Sequence, residues 1–288
     1  MSNLMTPFVR TRPVDSTRVS AGGAGLAVYT AGHGQPGAAT LVFLHAGVCD
    51  SRMWAGQFDT FGADQRVVAY DRRGFGATAA VDEHFSSVDD LWAVLDALAI
   101  DRAVLIGCSQ GGRIALDATL ARPQRVTALV LVAAAIGGAP ERTTHDPRLD
   151  GFIEAYGNAA DAEDIDAQNR IEARVWLDGP FSPEGRVGGA VRDLFLSMNG
   201  IVLGGSKLGS TDVPDTAYAR LAEVSVPTLV VWGPLDVPSV VVNMKHAAAT
   251  IPGARACELD GLAHLPSLEA PARFDAALAA FLHDAAVR

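Results

Sequence analysis

Apolar positions recur along the chain in two rhythms. Short, nearly unbroken runs, "TLVFL" (40–44), "RVVAY" (66–70), "AVLIGC" (103–108), "VTALVLVAA" (126–134) and "PTLVVW" (227–232), are rich in β-branched residues. Runs of this length and composition predict buried strands. Between them the apolar residues fall three and four apart, around 53–61 and in 87–100, 111–121, 240–253 and 270–282, which predicts helices. "LAVYTAG" (26–32) reads as a weak opening strand and "RACELDG" (255–261) as a closing one. Ser87 is the expected N-cap of its helix, with Asp90 at the capping-box position. Pro123 sets the end of the 111–121 helix, because the residue before a proline avoids the helical region.

Strands separated by helices, with apolar runs continuous enough for burial on both sides, predict an α/β fold with a mostly parallel central sheet covered on both faces. The rhythm breaks between Gly137 and about Ser225. There, helical patterns such as "RLDGFIEAYG" and "AVRDLFLSMNGIVL" follow one another without a strand. The expected organisation is a core built from 1–138 and 226–288, with 139–225 as a helical cap over the carboxyl edge of the sheet. The acidic run from Asp161 to Asp166 reads as a solvated helix start.

Composition narrows the class. Of 288 residues 49% are hydrophobic and 19% charged, enough for a large core and too little polarity for disorder. The net charge is −10, which opposes a nucleic-acid partner, and the one basic doublet is Arg72–Arg73. Cys49, Cys108 and Cys257 form no CxxC pair and an odd total, which suggests a reducing compartment. "MSNLMTPFVRTRPVDSTRVS" has no apolar core of a signal peptide, and the longest apolar run (126–136) is too short to cross a bilayer. A cytoplasmic protein without a membrane partner is expected. The oligomeric state is left open, a homodimer being one option.

The chemistry centres on "VLIGCSQGGRIAL" (104–116). A serine at a strand-to-helix junction is either a helix cap or a nucleophile. Gly107-Cys108-Ser109-Gln110-Gly111 matches the nucleophile elbow G-x-S-x-G, whose flanking positions must be free of side chains for strand and helix to pack closely. Such a hydroxyl needs a base, and the base an orienting acid. Of the seven histidines, His264 lies in "ELDGLAHLPSLEAP", just past a predicted strand, and Asp236 follows another in "VVWGPLDVPS". The order Ser109, Asp236, His264 has gaps of 236 − 109 = 127 and 264 − 236 = 28 residues. Each member lies beyond a strand's carboxyl end, as this architecture requires. Asp212 and Asp215 are the reserve acids. The backbone N–H groups of Gln110 and of Gly47, in the loop after "LVFLH", are the expected oxyanion donors. His45 reads as a loop-shaping residue.

On "LHAG…MW" (44–54), "YDRRGFGAT" (70–78), "GCSQGG", "GPLD" and "GLAHLPSLE", the chain resembles α/β-hydrolase fold proteins of the cap-bearing ester hydrolase, lactonase and haloperoxidase-like group, over nearly its full length after Thr17. Two departures stand out: Ala46 where the family has glycine, and Thr78 where it often has serine. The resemblance implies a cofactor-free and metal-free serine hydrolase that cleaves a small ester or lactone through an acyl-enzyme. The alternatives are a carbon–carbon bond hydrolase acting on vinylogous diketones, a haloperoxidase or perhydrolase, and a receptor-like binding module. A serine nucleophile sets aside the dehalogenases and epoxide hydrolases of this fold, which use aspartate. Trp176, Phe181, Phe195 and Met198, with Phe152 and Tyr156, are candidate pocket residues, or else the cap's own core. The Cys108 thiol is expected to point away from the site. Cys49 is expected to be structural.

Overall fold

A computed structural model describes residues 13–34, 39–140, 146–206, 208–212 and 214–285. The extreme N-terminus and His145 lie outside them. The strands are β1 (Asp15–Ala21), β2 (Ala24–Ala31), β3 (Thr40–Leu44), β4 (Val67–Asp71), β5 (Phe85–Ser86), β6 (Ala103–Cys108), β7 (Val126–Val132), β8 (Thr211–Asp212), β9 (Thr228–Trp232) and β10 (Arg255–Glu258). Eight of them form one sheet in the order β1-β2-β4-β3-β6-β7-β9-β10. The β1–β2 and β2–β4 pairs are antiparallel and the others parallel. The helices are α1 (Ala55–Phe61), α2 (Ser87–Ala97), α3 (Gln110–Ala121), α4 (Asp150–Asp161), α5 (Ile165–Glu172), α6 (Gly189–Leu203), α7 (Pro238–Thr250), α8 (Pro266–Glu269) and α9 (Pro271–Asp284).

Strand alternation divides the core in two. Val42, Leu44 and Leu105 face one cluster with Leu91, Ile114 and Met244 of α2, α3 and α7. Leu41, Phe43, Val104 and Ile106 face a second with Phe58, Phe274 and Phe281 of α1 and α9. Side chains two apart share a face of a strand, so a parallel strand covered by helices on both sides is apolar throughout, and β6 is buried at every position.

Three local expectations change. The chain opens with β1, whose residues alternate weakly and are mostly exposed, so no apolar run announces it. Ser86, not Ser87, caps α2, its Oγ accepting the Asp89 N–H at 3.2 Å. Asp90 turns inward to pair with Arg73. The inserted segment is helical as expected, apart from the two-residue β8, which pairs with β5. Asp164, in the acidic run, caps α5.

Candidate active site

Ser109 stands between β6 and α3 with φ 52° and ψ −115°, a conformation costing a non-glycine residue about 1–3 kcal/mol. Its backbone is held from several sides: the N–H donates to the Val132 carbonyl at 2.9 Å, and the carbonyl accepts from Arg113 and Ala135, both at 3.0 Å. The neighbours allow no side chains. A Cβ on Gly107 would meet the Gly111 carbonyl oxygen at 2.3 Å, and one on Gly111 the Leu44 oxygen at 2.3 Å. Gly112 is equally constrained, with the Ala134 Cβ 2.4 Å from where its own would be.

Asp236 and His264, both buried, meet at 2.7 Å between Oδ2 and Nδ1. Ionised Asp236 only accepts, so Nδ1 carries the proton and Nε2 keeps a lone pair. The other carboxylate oxygen accepts the Val237 N–H at 2.7 Å. The two loops are drawn together by the Leu235 N–H bonded to the Leu262 carbonyl at 3.0 Å. Gly233 makes this approach possible, since a Cβ there would lie 2.1 Å from that same oxygen. Buried Glu269 accepts the N–H groups of Ala263 and Leu265, at 2.9 and 3.0 Å, on either side of His264. The Cys108 thiol does not point away from this region. It lies 3.7 Å from the His264 carbonyl oxygen, so the residue before Ser109 supports the histidine loop from below.

The loop after β3 is organised around Arg72 and His45. The Arg72 N–H donates to His45 Nε2 at 3.1 Å, and His45 Nδ1 faces the Ala46 carbonyl at 2.8 Å. Burial and the nearby guanidinium push the imidazole well below its usual pKa, so it is a neutral brace. The Arg72 guanidinium bonds Gln110 Oε1 at 2.7 Å and the carbonyls of His45 and Ala46 at 3.3 and 3.2 Å. Buried without a carboxylate, and with Nε unpartnered among the described residues, its pKa is pushed down to about 10. Gly47 lies against the same carboxamide, a Cβ there being 3.1 Å from Gln110 Oε1. Gly47 and Gln110, three strands' worth of chain apart in sequence, are thus neighbours. The Arg72–Arg73 doublet is no surface patch: Arg73 is also buried, clamped by Asp90 and Glu83.

The insertion contributes unevenly. The Trp176 ring lies 4.6 Å from that of His264. Phe152, Tyr156 and Trp176 line a cavity of about 330 Å³ with Glu172 and Val237. Phe195 and Met198 do not line it, being fully buried in the same apolar cluster as Met53, Trp54 and Leu265. Phe181 is 39% exposed beneath the Arg148 guanidinium. Among the described residues, the insertion's buried Ala173, Leu177, Leu194, Phe195 and Met198 thus continue the apolar cluster on one face of the sheet. Asp212 and Asp215 are engaged elsewhere, with His84 and Arg113. Cys49 is fully buried, and burial raises its thiol pKa. Among the described residues no group of three or more His, Cys, Asp or Glu could hold a metal, and no helix is long and apolar enough to cross a membrane.

The family model described as alpha/beta hydrolase fold matches residues 39–271. The chain belongs to that family. It is similar to the pimeloyl-[acyl-carrier protein] methyl ester esterase of Edwardsiella ictaluri, 29% identical over 84% of this chain and 92% of the relative. It is also similar to the 2-hydroxy-6-oxononadienedioate/2-hydroxy-6-oxononatrienedioate hydrolase of Paraburkholderia phymatum, at 30% identity over 70% of this chain and 74% of that one. Among solved structures, Est816, an N-acyl homoserine lactone degrading enzyme, superposes with a TM-score of 0.69 at 26% identity, covering 92% of this chain and all of its own.

Sequence reasoning missed Arg72 and Glu269. The first lay in the quoted "YDRRGFGAT", where it was noted only as half of the one basic doublet. Glu269 lay within a quoted motif, but its grip on the residues flanking His264 depends on α8 folding back.

Proposed function

We propose that this α/β-hydrolase family member is a serine hydrolase cleaving a carboxylic ester or lactone of a small, largely apolar substrate, with residues 139–225 serving as a cap. The proposal is supported by a strained Ser109 at the carboxyl end of β6, by the thiol of its neighbour Cys108 lying 3.7 Å from the His264 carbonyl oxygen, and by a buried Asp236–His264 pair with its Nδ1–H accounted for. Ser109 Oγ attacks the carbonyl carbon and its proton passes to His264 Nε2. Asp236 holds the tautomer and stabilises the imidazolium. The oxyanion accepts from the N–H groups of Gly47 and Gln110. As the intermediate collapses, the leaving alkoxide takes the proton from His264 and the acyl group stays on Ser109. Water, giving its proton to His264, then releases the acid.

The relatives support a hydrolase in common. The Edwardsiella esterase and the lactone-degrading enzyme favour an ester or lactone, whereas the Paraburkholderia hydrolase favours a second possibility, cleavage of a carbon–carbon bond in a vinylogous diketone.

The deciding experiment assays p-nitrophenyl acetate, a set of lactones and a vinylogous diketone side by side. The expected outcome is ester or lactone turnover that falls at least about 10³-fold in Ser109→Ala, with an unchanged melting midpoint. Mass spectrometry of the quenched wild-type protein should find the acyl group on Ser109. Ester turnover retained by Ser109→Ala overturns the nucleophile. Diketone cleavage without ester turnover moves the protein to carbon–carbon chemistry.

A further inference from the structure

The cavity of about 330 Å³ between α4, α5 and the turn after α5 is walled by Phe152, Tyr156, Val175 and Trp176. It adjoins the candidate site at two points: Trp176 packs its ring 4.6 Å from that of His264, and Val237 follows Asp236. A volume of this size accepts a ring or a short branched chain. The wall carries one carboxylate, Glu172. Its carboxylate accepts from Asn199 Nδ2 on α6 and from the Tyr156 hydroxyl on α4. Arg170 and Arg174, each two residues from Glu172, line a neighbouring depression instead; Arg174 donates to the Gly179 carbonyl at 2.6 Å, its guanidinium 5.6 Å from the Phe152 ring.

We propose that Glu172 is a specificity-determining residue. It makes this cavity the seat for an uncharged or cationic substrate arm that ends in a hydrogen-bond donor, such as a hydroxyl or ammonium, and excludes arms ending in a carboxylate. The inference rests on the hydrolase function proposed above and narrows its substrate class. Two physical causes act together. An acceptor-only group in an apolar wall rewards a donor and repels a second anion. Aromatic faces beside it also favour a cation over an anion. Burial raises the Glu172 pKa, and a protonated carboxyl would itself donate, so the preference belongs to the ionised form and is read at alkaline pH.

An isosteric trio reads the cavity: 3-phenylpropylamine, 3-phenylpropanol and 3-phenylpropanoate. Each is tested as an inhibitor of p-nitrophenyl acetate hydrolysis and, independently of turnover, by titration calorimetry. The wild-type protein should bind the amine and alcohol at least about tenfold more tightly than the carboxylate. In Glu172→Gln that preference should shrink to within about threefold, because the amide can donate as well as accept. Gln keeps partners for Asn199 and Tyr156, so the fold should persist, read as an unchanged melting midpoint. Val175→Trp, which fills the cavity, should abolish binding of all three, the melting midpoint again reporting on the fold.

Equal affinity for the carboxylate in the wild type, or an unchanged preference in Glu172→Gln, overturns the assignment. So does undiminished binding in Val175→Trp. Discriminating binding without any ester turnover would sink the hydrolase proposal and leave the cavity assignment standing.

Discussion

At the scale of single residues, Arg72 shows how one buried guanidinium can tie two loops together. Its guanidinium has donors only, so the Gln110 carboxamide must turn Oε1 toward it. The same group gathers the His45 and Ala46 carbonyls. The loop carrying Gly47 and the helix beginning at Gln110 are thereby referred to one rigid plane. Removing that plane should loosen the alignment of the two N–H groups rather than delete either. Arg72→Met is expected to lower kcat about 10- to 100-fold, less than or comparable to the loss of an oxyanion donor, with KM and melting midpoint little changed. Steady-state kinetics with p-nitrophenyl acetate checks it, and wild-type kcat would remove Arg72 from this role. From the sequence Arg72 was only half of a basic doublet. Burial turned it into a brace, and burial is a property of the folded loop.

At the scale of elements, the β6–α3 unit was legible because its glycine and serine spacing is a local signature, although Leu44 and Ala134, at or just past the ends of neighbouring strands, crowd it. An apolar strand must end, a helix must start, and glycine is required wherever the two backbones touch. Gly107, Gly111 and Ser109 occupy the positions that the pattern demands. The cap of α2 shifted from Ser87 to Ser86 for an equally physical reason: Asp90 left the helix start to pair with buried Arg73, and adjacent serines offer the same cap chemistry one residue apart. On α3, burial raises the Asp117 carboxyl from 3.8 to about 6, against the opposing pull of Arg113. Between those values the folded state binds more protons than the unfolded one, so this group's contribution to stability declines as pH rises from about 4 to 6. Asp117→Asn should therefore gain stability relative to wild type across that window. Melting midpoints measured at intervals from pH 4 to 7 test it, and a difference that is flat or reversed in sign counts against the raised carboxyl.

At the scale of the molecule, the candidate site is an agreement between the insertion and the sheet. Arg186, in the insertion, donates to the Leu177 and Asp178 carbonyls and reaches across to the Gly261 carbonyl and to Glu269. Glu269 in turn holds the amides flanking His264. A displacement of the insertion is thus felt at the histidine loop through one ion pair. Arg186→Met leaves a buried carboxylate without its cation, a class of change that is strongly destabilising. It should lower the melting midpoint and reduce ester turnover by about tenfold. Arg220→Met, breaking the exposed pair with Glu223, should do neither. Calorimetry and turnover of both variants form the comparison, and equal behaviour would show the pair to be passive.

The sequence by itself determined the fold class, the strands and helices of the core apart from β1, and the order Ser109, Asp236, His264. Those follow from periodicity and from turn chemistry that neighbouring residues impose on one another. Only tertiary structure decided that Phe195 and Met198 join the sheet's own apolar cluster, that Trp176 lies on His264, and that the Cys108 thiol meets the His264 carbonyl. It also decided that Glu172 is the acid in an apolar wall. Each of these depends on the angle at which one element crosses another. That angle is set by packing between segments distant along the chain, and no local pattern records it.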